Sequence, residues 1–170
     1  MPVTLNIQWK WILLVVLLAT AVYWWANIAV WVAWSLSVTG GKIAMLTIAP
    51  GLWVWAAYQC LKSESGLPLF LQAWFTAMLF LIINVSTDLV FFGILRGDMQ
   101  QLLTLATYAG YFLICILPFI WSYYFSRRPS NESSVTESSI VYAALAAAVG
   151  IGLLLTFHFL GPLVSIMHFT

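Results

Sequence analysis

Thirty-one consecutive residues without a charge separate Lys10 from Lys42, and four more uncharged runs of 19, 23, 28 and 33 residues follow at 43–61, 65–87, 99–126 and 138–170. A helix needs about 20 apolar residues to cross the ~30 Å of hydrocarbon in a bilayer. Each run meets or nearly meets that length, so the pattern predicts an all-α integral membrane protein with five spans at about 9–35, 43–61, 67–95, 102–125 and 140–160. Composition agrees: 64% of the 170 residues are hydrophobic, 6% are charged, and the mean hydropathy is +1.01. Eleven charged side chains cannot solvate a soluble domain of this size. A net charge of +1 provides no basic field for nucleic acid.

The links between spans are short, which makes consecutive helices antiparallel neighbours within a single transmembrane domain. Residues 126–139 (SRRPSNESSVTESS) are rich in Ser and charge and predict a flexible polar loop. With five spans, Lys10, Lys62, Arg127 and Arg128 fall on one side and Lys42 and Arg96 on the other. By the positive-inside rule this puts the N-terminus inside and the C-terminus outside. The expected location is the cytoplasmic (inner) membrane, and the first span is expected to stay uncleaved because its apolar stretch continues well past Ala19-Thr20-Ala21.

Ten tryptophans make the chain tryptophan-rich. Trp9, Trp11, Trp31, Trp34, Trp74 and Trp121 lie near predicted helix ends, where indoles favour the headgroup region. Trp24, Trp25, Trp53 and Trp55 lie deeper. They are expected to pack against helices or lipid, with a pocket for an aromatic or lipid-like cofactor as the weaker reading. In the fifth span Ala144, Ala148 and Gly152 recur every four residues, a small-residue face that lets helix backbones approach closely and predicts docking of this helix, onto a neighbour or a second copy. Pro50 and Pro118 fall inside spans, where proline removes a helical hydrogen bond.

Polar groups inside hydrocarbon are costly and so carry the most information. Asp88 is the one charged residue within a span, with Asn84 one turn earlier on the same face. On the fourth span Gln101, Thr104, Tyr108, Tyr111, Cys115, Pro118 and Ser122 form a stripe, and Thr20, Tyr23, Asn27, Trp31 and Trp34 form a weaker one on the first. In the five-span topology Asn27, Thr47, Asn84, Asp88, Thr104, Tyr108 and His158 share the outer half of the bilayer. They predict either an interhelical hydrogen-bond network or an outward-facing polar crevice, floored near Tyr23 and Tyr111, that takes a small polar or amphipathic ligand. The candidate binding residues are Asp88, Asn84, Asn27, Tyr108, Tyr111 and His158.

Enzymatic chemistry has little material here. Hydrolysis and phosphoryl transfer need acids, bases or metals in groups, whereas this chain has one intramembrane Asp, an isolated His158, and Cys60 and Cys115 without CxxC spacing. No metal, haem or other cofactor is expected. The sequence thus predicts a non-enzymatic multi-pass protein, first an accessory or assembly subunit with a membrane-protein partner or a homo-oligomeric contact. The alternative is a small transporter or receptor built on Asp88.

Overall fold

A computed structural model describes residues 7–95, 97–127 and 134–167, with side chains described for all of these except 101, 154 and 156–167. It is all-helical, with no strand among the described residues: α1 (Trp9–Leu36), α2 (Val38–Lys62), α3 (Leu69–Asp88), α4 (Leu105–Arg127) and α5 (Glu137–Met167). A π-helical segment, Leu89–Leu95, continues α3 without a break, and a 3-10 turn, Met99–Leu103, precedes α4. Four helices are long and apolar enough to cross a membrane: α1, α2, α3 with its π-helical extension, and α4. In α5 the stretch with described side chains, Glu137–Leu153, is apolar but shorter.

The first link is tighter than the gap of 36–42 left between the first two predicted spans. Ser37 alone is extended (φ −166°, ψ 150°), and its hydroxyl accepts a 2.9 Å bond from the Gly40 N–H, capping α2. Gly40 and Gly41 therefore sit inside the first turn of α2 rather than in a loop. A Cβ on Gly41 would fall 2.4 to 2.8 Å from the Trp34 ring, so the glycine lets the two helices turn back on each other. At the other end α5 starts three residues before the predicted 140, where the Thr136 hydroxyl accepts from Ser139 N–H and Glu137 stands in the first turn.

α1 is the hub. It packs against α2, α3 and α5, while α4 closes the other side against α3 and α2. The contacts are built on small or completely buried residues, with Val15 and Ala19 of α1, Ala56, Ala57 and Cys60 of α2 and Ala73, Thr76 and Phe80 of α3 all fully enclosed. Small side chains permit this close approach, which in hydrocarbon must be held by van der Waals packing and interhelical hydrogen bonds.

Trp11 corrects its expected role. It is fully buried, and its indole N–H donates 3.0 Å to the Cys60 carbonyl near the end of α2. Gln72 of α3 donates to the same carbonyl at 2.9 Å and to the Ser63 carbonyl at 2.8 Å. A helix C-terminus leaves four carbonyls without intrahelical donors; here an indole and an amide from two neighbouring helices supply two carbonyls at this end, those of Cys60 and Ser63. Trp9, Trp34 and Trp74 are exposed near helix ends. Trp24 and Trp53 are core residues in edge contacts with Tyr23, Phe91 and Phe80.

The predicted small-residue face of α5 is not the one that docks within the chain. α5 docks onto α1 through Ala143, Ala147 and Gly150, one helical step from the predicted face; a Cβ on Gly150 would lie 2.9 Å from Cβ of Trp24. Ala144 is half-buried, Ala148 and Gly152 are exposed, and a Cβ on Gly152 would meet nothing within 4 Å.

Candidate functional site

Most polar side chains in the spans are satisfied locally. The hydroxyls of Thr20, Thr47, Thr76 and Thr87 donate to the carbonyl four residues earlier, and the Asn27 and Asn84 amides do the same toward Tyr23 and Phe80. Such back-bonding lets a donor-bearing side chain live on an apolar helix without a partner elsewhere. A carboxylate has no donor and cannot use this route. Asp88 must take its hydrogen bonds from other helices.

It does so twice. The Tyr23 hydroxyl of α1 donates to Oδ1, and the Tyr111 hydroxyl of α4 donates to Oδ2 at 2.6 Å. Asp88 is 7% exposed and Tyr23 4%, whereas Tyr111 is half-buried. One carboxyl group thus ties three helices together, each oxygen held by a different helix.

Local backbone geometry sets this up. Asp88 is the last α-helical residue of α3, and the chain widens immediately afterwards into the π-helical Leu89–Leu95. A π segment shifts the angular positions of the residues beyond it, and such segments often occur at functional sites. Here it turns Phe91 into the core, against Trp24 at 5.8 Å and Trp31 at 5.2 Å. Gly93 faces the Met99 sulfur, where a Cβ would lie 2.7 Å away, and the Asp98 N–H donates 2.8 Å to the Phe92 carbonyl. The reversal after the π segment is therefore packed against Phe92 and Gly93.

The predicted residues separate. Tyr111 joins Asp88 as expected, and Tyr23, expected only as a floor, is its second donor. Asn84 is buried one turn below Asp88, and Asn27 is half-buried one turn beyond Tyr23; because α1 and α3 run in parallel, the two amides lie on opposite sides of the clasp and do not converge. Tyr108 is 53% exposed, and Thr47 is exposed and back-bonded. The α4 stripe faces protein at Tyr111, Cys115, Pro118 and Ser122 and turns outward at Tyr108. His158 lies outside the residues whose side chains are described. Of the candidate residues with described side chains, Asp88 and Tyr111 meet, together with Tyr23, in a three-helix clasp.

The hydrogen-bond pattern has a chemical consequence. With both tyrosines donating, both carboxylate oxygens act as acceptors. Adding a proton to one oxygen turns it into a donor, and the tyrosine facing it must swing its hydroxyl away or accept instead. Among the described residues the titratable groups facing Asp88 are Tyr23 from α1 and Tyr111 from α4, with Tyr108 next to Tyr111 on α4. Protonation of Asp88 is therefore coupled to how α1 and α4 are held against α3.

No protein-family model matches this chain, and neither curated proteins nor solved structures include a significant match to it.

Proposed function

We propose that this chain is a non-enzymatic multi-pass protein of the cytoplasmic membrane, with its N-terminus inside and its C-terminus outside, that works as a small proton-responsive transporter or membrane receptor. The observation behind this reading is the Asp88 clasp: one buried carboxyl held by hydroxyls from two other helices, at the point where α3 becomes π-helical. An ionisable residue at membrane depth is expensive and marks proton relays and ligand sites in pumps and transporters. A clasp whose bonds must reverse on protonation gives two arrangements of the same helices, which is the minimum that gating requires.

The test is tryptophan fluorescence against pH on the protein in lipid nanodiscs. The Trp24 ring lies 4.9 Å from that of Tyr23, close enough to report a change in the clasp. The wild type should show a pH-dependent emission change that Asp88→Asn abolishes while helicity is retained. An identical titration in both proteins would refute the proton-responsive reading.

The accessory or assembly-subunit reading is favoured by a different observation. α5 is held by one face on α1, and on its other side Ala148 is exposed. A partner helix could approach closely there. Ala148→Leu should then abolish a crosslinked complex, and an unchanged band would exclude that contact.

A further inference from the structure

A cavity of about 520 Å³ lies between α1, α2 and α5, and none of the Asp88 clasp residues lines it. Its size is within the range of small-molecule sites. Its walls are apolar, including Leu14 and Leu18 of α1, Leu52 of α2 and Ala143 of α5, and none of the residues lining it is charged. The Trp25 indole N–H donates 3.0 Å to the Ala146 carbonyl and closes the cavity at its inner end by joining α1 to α5. The eleven steps from Leu14 to Trp25 correspond to roughly 16 Å along a helix, close to half the ~30 Å hydrocarbon thickness of a bilayer. The cavity is therefore as deep as one leaflet.

Polar groups collect at its other end, beside the N-termini of α1 and α5 and the C-terminus of α2: Gln59, Ser63 and Ser139. Ser63 uses its hydroxyl on the Gln59 carbonyl at 2.8 Å, and Ser139 shares its hydroxyl with Thr136 at 2.7 Å. The half-buried Gln59 amide makes no hydrogen bond to another described residue. An amide left open on a mostly apolar wall offers a neutral N–H donor at the depth where a lipid's ester carbonyls begin.

We propose that this cavity holds one acyl chain of an ester-linked glycerolipid from the leaflet at the Trp9 end, with the chain lying along Leu14, Leu18 and Leu52 and an ester carbonyl accepting from the Gln59 amide. The site is neutral, so recognition is at the ester level and does not depend on headgroup charge. Depth, an apolar shaft and a single uncharged donor at its mouth fit this occupant better than a soluble polar solute, which would leave its own polar groups unpaired along the shaft.

Native mass spectrometry of the full chain, released from nanodiscs of dioleoylphosphatidylcholine or of its diether analogue, tests this. The wild type should retain one lipid per chain after bulk lipid is stripped, with about fivefold preference for the ester lipid, the size expected for one hydrogen bond. Gln59→Leu should lose the preference, and Leu52→Trp, which fills the shaft, should lose retention altogether. No retained lipid in the wild type, or retention unchanged in a folded Leu52→Trp variant, would overturn the proposal. Equal retention of ester and ether lipids by the wild type would overturn the Gln59 assignment, and that comparison needs no variant to fold.

Discussion

Tyr111 on α4 donates its hydroxyl across 2.6 Å to one carboxylate oxygen of Asp88 on α3, while the other oxygen is taken by Tyr23 from α1. Tyr23 is enclosed, so no water can replace its donor, and its bond differs in energetics from that of a surface tyrosine. Tyr23→Phe should be the more damaging of the two single changes because its site is enclosed, whereas Tyr111 is half-open and water can partly substitute there. Expected losses are roughly 2 to 3 kcal/mol for Tyr23→Phe and about 1 kcal/mol for Tyr111→Phe, read from thermal unfolding in a fixed detergent. Equal effects would show that burial does not decide the strength of the clasp.

The knot at the end of α2 makes a second prediction. Gln72→Leu removes donors from both the Cys60 and Ser63 carbonyls in a buried setting. It should cost about 2 kcal/mol, while Trp11→Phe, which leaves the Cys60 carbonyl still bonded to Gln72, should cost nearer 1 kcal/mol. The double variant should exceed the sum, because only then is the Cys60 carbonyl left without either side-chain donor. Denaturant titrations of the four proteins complete this cycle, and simple additivity would contradict the shared-acceptor geometry.

Two glycines on α5 should respond in opposite ways. Gly150→Ala places a methyl 2.9 Å from Cβ of Trp24, an atom fixed to the α1 backbone, so the helices must separate. Overpacking of this kind costs about 1 to 3 kcal/mol. Gly152→Ala meets open space at its Cβ and gains helix propensity, worth up to about 1 kcal/mol in the stabilising direction. The order of the two melting temperatures checks the register in which α5 docks.

Much of this architecture was legible in the spacing of charges. Runs of uncharged residues located the helices, because a bilayer-crossing helix has a minimum length that charge interrupts. What spacing could not show was which helix face meets which neighbour. The Ala144, Ala148, Gly152 and Ala143, Ala147, Gly150 series are both small at helical period, and docking uses the second because Trp24 of α1 needs Gly150 opposite it. Trp11 likewise reads as a headgroup anchor by position alone, and only the fold brings the Cys60 carbonyl to its indole.

The candidate site was half legible, for a chemical reason. Asp88 stood out because it is charged within a span, yet Asn84 was grouped with it by helix face and depth, and Asn27 and Thr47 by depth. Their side chains carry donors that return to their own helix backbone, and a carboxylate has none. Sorting intramembrane polar residues by whether they can donate would have left Asp88 as the residue obliged to recruit partners. Tyr23 and Tyr111, each a member of its helix's polar stripe, are the hydroxyls that meet it.

Infrared difference spectroscopy between high and low pH, on wild type and Asp88→Asn in the same nanodiscs, bears on the clasp without requiring a known ligand. Uptake of a proton by Asp88 should produce a protonated-carboxyl band that is absent in Asp88→Asn. Tyrosine ring bands should change with it and weaken in Tyr23→Phe and Tyr111→Phe, because each hydroxyl must change partner or direction. A spectrum without an Asp88-dependent carboxyl band, or one in which that band appears with no tyrosine change, would contradict a proton-responsive clasp and leave Asp88 as a fixed tie between three helices.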